Sequence, residues 1–300
     1  MKKTIKGLAK LTRFCDYGYY VMVPSLLGVA AAKGSFSWQL LLVLLANWMA
    51  VGFAYMVNDI EDAPDDAFST NRVKSNPISS GLVAPKTARI AALLIGLFAA
   101  GLFAVLGVWP FIFGMINLTF GFLYSVKYVQ LKSMAFFDIV IHSLLLSGLP
   151  FMCGYFSFTS RLNRVWFWPF VFVVAIHTYL QLQHDLNALS RASKTKKGRT
   201  VLHLGERSVT SLMIATAILG AFTGIVTFFL IDVIPAWVVL LMAVLAVLFI
   251  LPVWIKHRRE DGEIANEVFW RSAVERAAAL ALLLYFLLPW LNQVFQLGYI

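Results

Sequence analysis

The acidic segment from Asn58 to Asp66 carries the side chains in this sequence that are best suited to chemistry. It reads NDIEDAPDD and contains five carboxylates. Carboxylates this close repel one another, and a bound multivalent cation relieves that repulsion. If the segment is helical, Asp59, Asp62 and Asp66 share one face, because residues three and four apart are neighbours on a helix. Such a row suits Mg²⁺, which combines one or two carboxylates with waters and phosphate oxygens.

Pro64 lies inside this acidic row. Its ring removes the backbone donor that would bind the carbonyl of Ile60, so the sequence predicts that the helix kinks or ends there. The argument for a shared face therefore holds for Asp59 and Asp62 and is weaker for Asp66.

Basic and small residues follow the acidic segment, with Arg72 and Lys74 ahead of the stretch Asn76–Gly81. Acids followed closely by bases fit a phosphate group that is held partly through a metal ion and partly by direct donors. The alternative is a solvated loop whose charges happen to balance.

A second polar stripe ends the apolar stretch before residue 185. His177, Gln181, His184 and Asp185 are spaced to share one helical face, and Asn187 follows them. Polar groups at membrane depth point into the helix bundle or a wet cavity. The stripe is therefore either the wall of a site or a set of hydrogen bonds between helices.

Further polar residues fall inside apolar stretches. Asn117 and Tyr124 share a helical face that ends near Lys127, and Asp138 precedes His142 by one turn. A lone carboxylate at such a depth is expensive unless it is paired or hydrated. These residues either border a cavity or serve as structural partners of neighbouring charges.

The elements that carry these residues are predicted to be membrane helices. The chain has 300 residues, of which 60% are hydrophobic and only 13% are charged. Long uncharged stretches indicate membrane spans, and helices are the form that satisfies the backbone of such spans. The sequence therefore predicts an all-α, polytopic bundle of nine transmembrane helices. They are predicted at about 14–32, 37–57, 91–108, 110–126, 134–156, 166–182, 209–230, 235–255 and 273–294.

The distribution of basic residues predicts the orientation of the bundle. With a cytoplasmic N-terminus, nearly all Lys and Arg residues lie inside, and only Lys33, Arg161 and Arg164 lie outside. This matches the positive-inside rule and explains the net charge of +10 without a nucleic-acid partner. The two long loops, at about 58–87 and 185–208, then lie on the cytoplasmic side of a single domain that spans residues 1–300.

The acidic segment also resembles a known motif. Asn58, Asp59, Asp62 and Asp66 match the pattern NDxxDxxxD of the UbiA superfamily of intramembrane prenyltransferases, and Asn76–Gly81 is similar to that family's RPIxSG stretch. The resemblance implies nine transmembrane helices around a central cavity, a cytoplasmic N-terminus, and acidic loops after the second and sixth helices.

The second acidic motif departs from the family pattern. Asp185 matches the first acid of DxxxD, but Leu189 stands at the second, and Asn187 is a candidate neutral oxygen ligand. Gly198–Thr200 is similar to the family's Gly-x-x-Thr segment and follows a basic run that begins at Lys194. This run either meets a diphosphate or lies against anionic lipid headgroups.

The resemblance implies Mg²⁺-dependent transfer of a polyprenyl group from a prenyl diphosphate to a small or lipidic acceptor. It assigns Asp59, Asp62 and Asp185 to catalysis and, with Asp66, to metal binding. The residues expected to bind substrate are Asn58, Arg72, Lys74, Asn117, Tyr124, Lys127, Gln181, Asn187, Lys194 and Arg199.

Two other functions stay open at this point. One is phosphoribosyl transfer onto a polyprenyl phosphate, and the other is a non-catalytic, lipid-binding relative of the family. In each case we expect a multi-pass protein of a bacterial-type inner membrane, with its active loops in the cytoplasm.

Overall fold

The apolar stretches of the sequence fold into helices. A computed structural model describes residues 2–69, 72–191, 203–260 and 267–296, and the regular elements within these ranges are all helical. This agrees with the predicted all-α class, because helices satisfy their own backbone hydrogen bonds in an apolar environment.

The helices of the described residues are α1 (Lys2–Leu11), α2 (Phe14–Ala31), α3 (Trp38–Asp66), α4 (Arg72–Ser75), α5 (Pro85–Leu106), α6 (Val108–Ser125), α7 (Phe137–Ser143), α8 (Leu149–Phe156), α9 (Phe167–Arg191), α10 (Glu206–Ile225), α11 (Ala236–Glu260) and α12 (Glu267–Phe295). A π-helical turn at Leu144–Gly148 joins α7 to α8, and a second at Val226–Leu230 extends α10. A short 3-10 turn lies at Leu131–Ser133.

Within the described ranges, 6 helices are long and apolar enough to cross a membrane. They are Trp38–Asp66, Pro85–Leu106, Val108–Ser125, Phe137–Phe156, Glu206–Leu230 and Ser272–Phe295. Helices α2, α9 and α11 overlap the other predicted spans. The count of nine spans and the cytoplasmic N-terminus stay predictions.

Two glycines let α2 and α8 approach closely. A Cβ atom at Gly28 would lie 2.2 Å from the carbonyl oxygen of Phe151, and one at Gly154 would lie 2.2 Å from that of Ser25. Small residues at a helix interface allow such backbone contact in membrane bundles. Asn47 of α3 joins the pair, because its Nδ2 donates to Ser25 Oγ at 2.8 Å and to the Pro150 carbonyl at 3.1 Å.

The N-terminal helix α1 packs against the loop that follows the acidic segment. Leu11 is fully buried in an apolar cluster that also holds Ile78 and Val83 of that loop and Met56 of α3. Lys10 Nζ donates to the carbonyl oxygen of Lys74 at 2.6 Å. The start of the chain is thereby fixed beside the acidic end of α3.

Candidate functional site

Helix α3 continues through the whole acidic segment. It ends at Asp66, two residues beyond Pro64, so the helix does not end at the proline. The proline removes one hydrogen bond in the final turn, where few further helical bonds depend on it. Asp59 and Asp66 are buried there, whereas Asp62 is half-buried.

Asn76 holds the following loop against this helix end. Its Nδ2 donates to the Asp59 carbonyl at 2.8 Å and to Asp66 Oδ2 at 3.1 Å, and its Oδ1 accepts from the backbone N–H of Ile78 at 3.0 Å. Ser79 Oγ donates to the Ala63 carbonyl at 2.8 Å. The segment similar to the RPIxSG stretch therefore covers the helix end.

Arg13 forms a two-pronged ion pair with Asp59. Its Nε donates to Asp59 Oδ2 at 3.2 Å, and its Nη2 donates to Oδ1. The guanidinium also lies 5.6 Å from the ring centre of Tyr55. Burial lowers the pKa of Arg13, but the charge of Asp59 and its hydrogen bonds raise the pKa above the ordinary value. Arg13 therefore stays charged and occupies both oxygens of Asp59.

The other two aspartates of the motif also have basic partners. Lys132 Nζ donates to Asp62 Oδ1 at 2.6 Å and to Asn58 Oδ1 at 2.9 Å. Arg72 Nη1 lies 3.7 Å from Asp66 Oδ1. The aspartates of the motif thus form ion pairs with Arg13, Arg72 and Lys132, which come from three separate parts of the chain.

A cavity of about 510 Å³ lies beside this helix end. Three oxygen-bearing side chains of the motif line it, namely Asn58, Asp62 and Asp66. The cations Lys10, Arg13 and Arg72 and the carboxylate of Asp16 also line it, so its walls contain three cations and three carboxylates. A diphosphate entering such a balanced cavity would bring excess negative charge, which a divalent cation offsets.

Several residues predicted to bind substrate lie elsewhere. Lys74 is exposed and contributes its carbonyl oxygen to the bond with Lys10. Lys127 contacts Glu61 Oε2 through its backbone N–H at 3.3 Å. Neither residue lines the cavity.

Asn117 and Tyr124 lie deeper among the helices. Asn117 Nδ2 donates to the Leu145 carbonyl at 3.1 Å, and Tyr124 Oη donates to Asp138 Oδ1 at 2.6 Å. They face the interior polar groups of α7 and the π turn rather than the cavity of the acidic motif.

The second motif lies in the last turns of α9. Asp185 is 7% exposed and accepts from Gln181 Nε2 at 3.3 Å, and it does not line the cavity beside α3. Its Oδ2 is buried without a hydrogen-bond partner in the described residues. Asn187 is half-buried two residues further on. Lys194 and Arg199 lie outside the described residues.

Arg13, Lys132 and Asn76 were not among the predicted site residues. Arg13 directly precedes the first predicted span, and Lys132 follows the fourth. The surplus of carboxylates in the motif indicates that basic partners are needed, since buried charges require partners. Sequence spacing does not show which cation supplies them.

The fold and this site define a helical membrane protein with a cavity at one helix end that is lined by acidic and basic side chains. A sequence model of the UbiA prenyltransferase family matches residues 21–274. The chain belongs to this family, which confirms the resemblance drawn from the acidic motif. The comparison with curated proteins found no match.

Solved structures share the fold across nearly the whole chain. A structure of digeranylgeranylglyceryl phosphate synthase has a TM-score of 0.66 at 16% identity, covering 95% of this chain and 99% of its own. A UbiA homolog from Archaeoglobus fulgidus bound to GPP and Mg²⁺ has a TM-score of 0.61 at 14% identity, with coverages of 93% and 99%. The apo UbiA homolog from Aeropyrum pernix K1 has a TM-score of 0.64 at 13% identity, with coverages of 91% and 98%.

Proposed function

We propose that this protein transfers a prenyl group from a prenyl diphosphate to an acceptor, with Mg²⁺ as cofactor, at the cavity beside the end of α3. The observation that carries the proposal is the meeting of Asn58, Asp62 and Asp66 with three cations around one cavity. The A. fulgidus homolog bound to GPP and Mg²⁺ supports the same substrate class.

The oxygen donors of the cavity fit Mg²⁺. Asn58, Asp62 and Asp66 would hold the ion, whereas Arg13 occupies both oxygens of Asp59. No cluster of three His, Cys, Asp or Glu side chains able to hold a metal occurs in the described residues. Mg²⁺ usually completes its coordination shell with water and phosphate oxygens. When bound, Mg²⁺ neutralises the leaving diphosphate and so favours cleavage of the allylic C–O bond.

The cations of the site act on the phosphates directly. Arg13, Arg72 and Lys132 each lie within 4 Å of an acidic side chain of the motif, and Arg13 and Arg72 line the cavity. We expect their N–H groups to donate to diphosphate oxygens, where charge-assisted bonds are strongest. The apolar helices would receive the prenyl chain, and the cavity would open to the cytoplasm.

The test is turnover by the purified protein with Mg²⁺ and labelled geranyl diphosphate. The acceptor probes are 4-hydroxybenzoate, 1,4-dihydroxy-2-naphthoate and a glycerol monoether, and a parallel reaction supplies phosphoribosyl diphosphate with polyprenyl phosphate. We expect prenylated product from the wild type and none from Asp62→Asn or Asp62→Ala.

Asp65→Asn is the matched control. Asp65 belongs to the same acidic segment, but it is exposed and does not line the cavity, so this variant should keep wild-type turnover. Failure of the wild type to bind geranyl diphosphate with Mg²⁺ would refute the proposal. Turnover of phosphoribosyl diphosphate alone would replace it with phosphoribosyl transfer.

A further inference from the structure

Four aromatic rings form a chain inside the bundle, which we call the histidine ladder. The rings of Tyr124 and His142 are stacked, with their centres 5.9 Å apart and an angle of 14° between their planes. The ring centres of His142 and His177 lie 5.2 Å apart in an edge-to-face arrangement. Those of His177 and Tyr20 lie 5.0 Å apart in the same kind of arrangement. The four residues come from α6, α7, α9 and α2, so only the tertiary fold brings them together.

The histidine ladder begins on α6, whose last residue contacts the wall of the proposed diphosphate cavity. Ser125, which follows Tyr124 in the chain, donates from Oγ to Asn58 Oδ1 at 3.2 Å. Asn58 lines the cavity. The allylic carbon of a prenyl diphosphate is one C–O bond from its phosphates. The acceptor's reacting atom must therefore lie beside the cavity, whose wall α6 reaches through Ser125.

Ionisable groups are concentrated around this ladder. Asp138 lies one turn before His142 on α7, is 8% exposed, and accepts the hydrogen bond from Tyr124. His177 is 1% exposed, whereas His142 is half-buried and is the more accessible of the two histidines. Ionisable groups inside a membrane bundle are costly and mark substrate or proton pathways.

Two buried oxygens near the ladder lack donors among the described residues. They are Asn117 Oδ1 and Asp185 Oδ2. Asn117 binds the carbonyl of Leu145 in the π turn directly after the helix of His142, and π turns often occur at functional sites. A buried acceptor without a donor costs about 1–3 kcal/mol. A ligand that carries O–H or N–H groups would supply the missing donors.

We propose that the histidine ladder is the acceptor end of the site and that His142 takes the proton that the acceptor loses. This inference rests on the proposed prenyl transfer. The allylic C–O bond breaks with its electron pair leaving on the diphosphate, and the acceptor's own electron pair forms the new bond to the allylic carbon. The proton released from the acceptor's O–H or aromatic C–H passes to the unprotonated ring nitrogen of His142.

The charged and titratable groups around His142 come from each helix packed against it. Tyr124 approaches from α6, His177 approaches from α9, and Asp138 lies on the same helix as His142. Asp185 of α9 lies in the electrostatic field of Asp138 and Tyr124. Lys132, from the 3-10 turn packed against α7, is bound to Asn58 and Asp62. Because a base must be unprotonated, protonation of His142 at low pH should lower the rate.

The test measures kcat and KM against pH, with each acceptor probe that the wild type converts. We expect the kcat of the wild type to fall at low pH as one proton is taken up, and we call this fall the acid limb of the profile. His142→Gln and His142→Phe should lower kcat about 10²–10⁴-fold and remove this acid limb, because a general base contributes in that range. Binding of geranyl thiodiphosphate with Mg²⁺ should be unchanged in both variants.

His203→Gln is the matched control, because His203 is exposed and outside the ladder, and it should keep the wild-type rate and profile. A wild-type profile without an acid limb would overturn the inference, and so would a wild-type rate in either His142 variant. A wild type that does not bind the thiodiphosphate would instead refute the prenyl transfer. If a variant does not fold, the dependence of wild-type kcat on pH still tests the inference, because a profile without a fall at low pH overturns it.

Discussion

The two acidic helix ends of this protein differ in how their carboxylates are compensated. At the end of α3, three aspartates pair with Arg13, Lys132 and Arg72. At the end of α9, Asp185 has a hydrogen bond from Gln181 and an oxygen without a described partner. The first end places ion-paired carboxylates beside a cavity, whereas the second presents one buried carboxylate.

We propose that this difference gives the two motifs separate tasks. The aspartates of α3 are balanced by basic partners, so a diphosphate at this end would need a divalent cation to offset its added negative charge. Asp185 lies in the electrostatic field of Asp138, which is bound to the ladder residue Tyr124. We therefore expect the first motif to govern diphosphate binding and the second to act on the acceptor side.

The largest expected effect compares the two motifs directly. Asp62→Asn should lower turnover at least about 10³-fold, because several kcal/mol of charge stabilisation depend on the metal that Asp62 would hold. Asp185→Asn should cost only about 10–100-fold, the range seen for residues that support a site. Steady-state kinetics with geranyl diphosphate measure both, and equal losses would show that the two motifs share one metal site.

The next effect concerns stability at the end of α3. Arg13→Met should destabilise the fold by about 3–5 kcal/mol, because it leaves the buried Asp59 carboxylate unpaired. The double variant Arg13→Met/Asp59→Asn should recover most of this loss, since the buried charge is then removed. Thermal denaturation of the four proteins in micelles completes the double-mutant cycle, and additive losses would contradict the pairing.

A smaller effect separates two neighbouring lysines. Lys132→Met should weaken binding of geranyl thiodiphosphate about 10–150-fold, because the loss of one charge-assisted donor is worth about 1.5–3 kcal/mol. Lys127→Met should bind almost as the wild type does, because only the backbone of Lys127 contacts the motif. Isothermal titration measures both dissociation constants, and a larger loss in Lys127→Met would restore the role that the sequence predicted for it.

The smallest effect is expected beside Asp185. Gln181→Leu removes one hydrogen bond, at 3.3 Å, and should lower stability by about 1 kcal/mol. Its melting temperature in micelles, compared with that of Arg13→Met, tests the contrast between the two helix ends. A loss as large as that of Arg13→Met would show that Asp185 depends on its partner just as Asp59 does.

Much of this protein could be predicted from local sequence. The apolar stretches predicted the helices, and the spacing of Asp59, Asp62 and Asp66 predicted acids at a helix end. The sequence left open whether α3 kinks or ends at Pro64, and the helix continues to Asp66 because the loss of one hydrogen bond in a last turn costs little. The placement of Asp185 away from the cavity beside α3 also could not be read from the chain, since the two motifs are far apart in sequence.

The sequence by itself determined the class of the protein and the position of its acidic motif, because apolar length and helical spacing are local properties. Only the tertiary structure decided which cations meet which acids. Arg13 lies 46 residues from Asp59, and Lys132 lies 70 residues from Asp62. The histidine ladder likewise takes one ring from each of four helices. Such contacts depend on how helices pack against one another, and a pattern within any one helix does not contain that information.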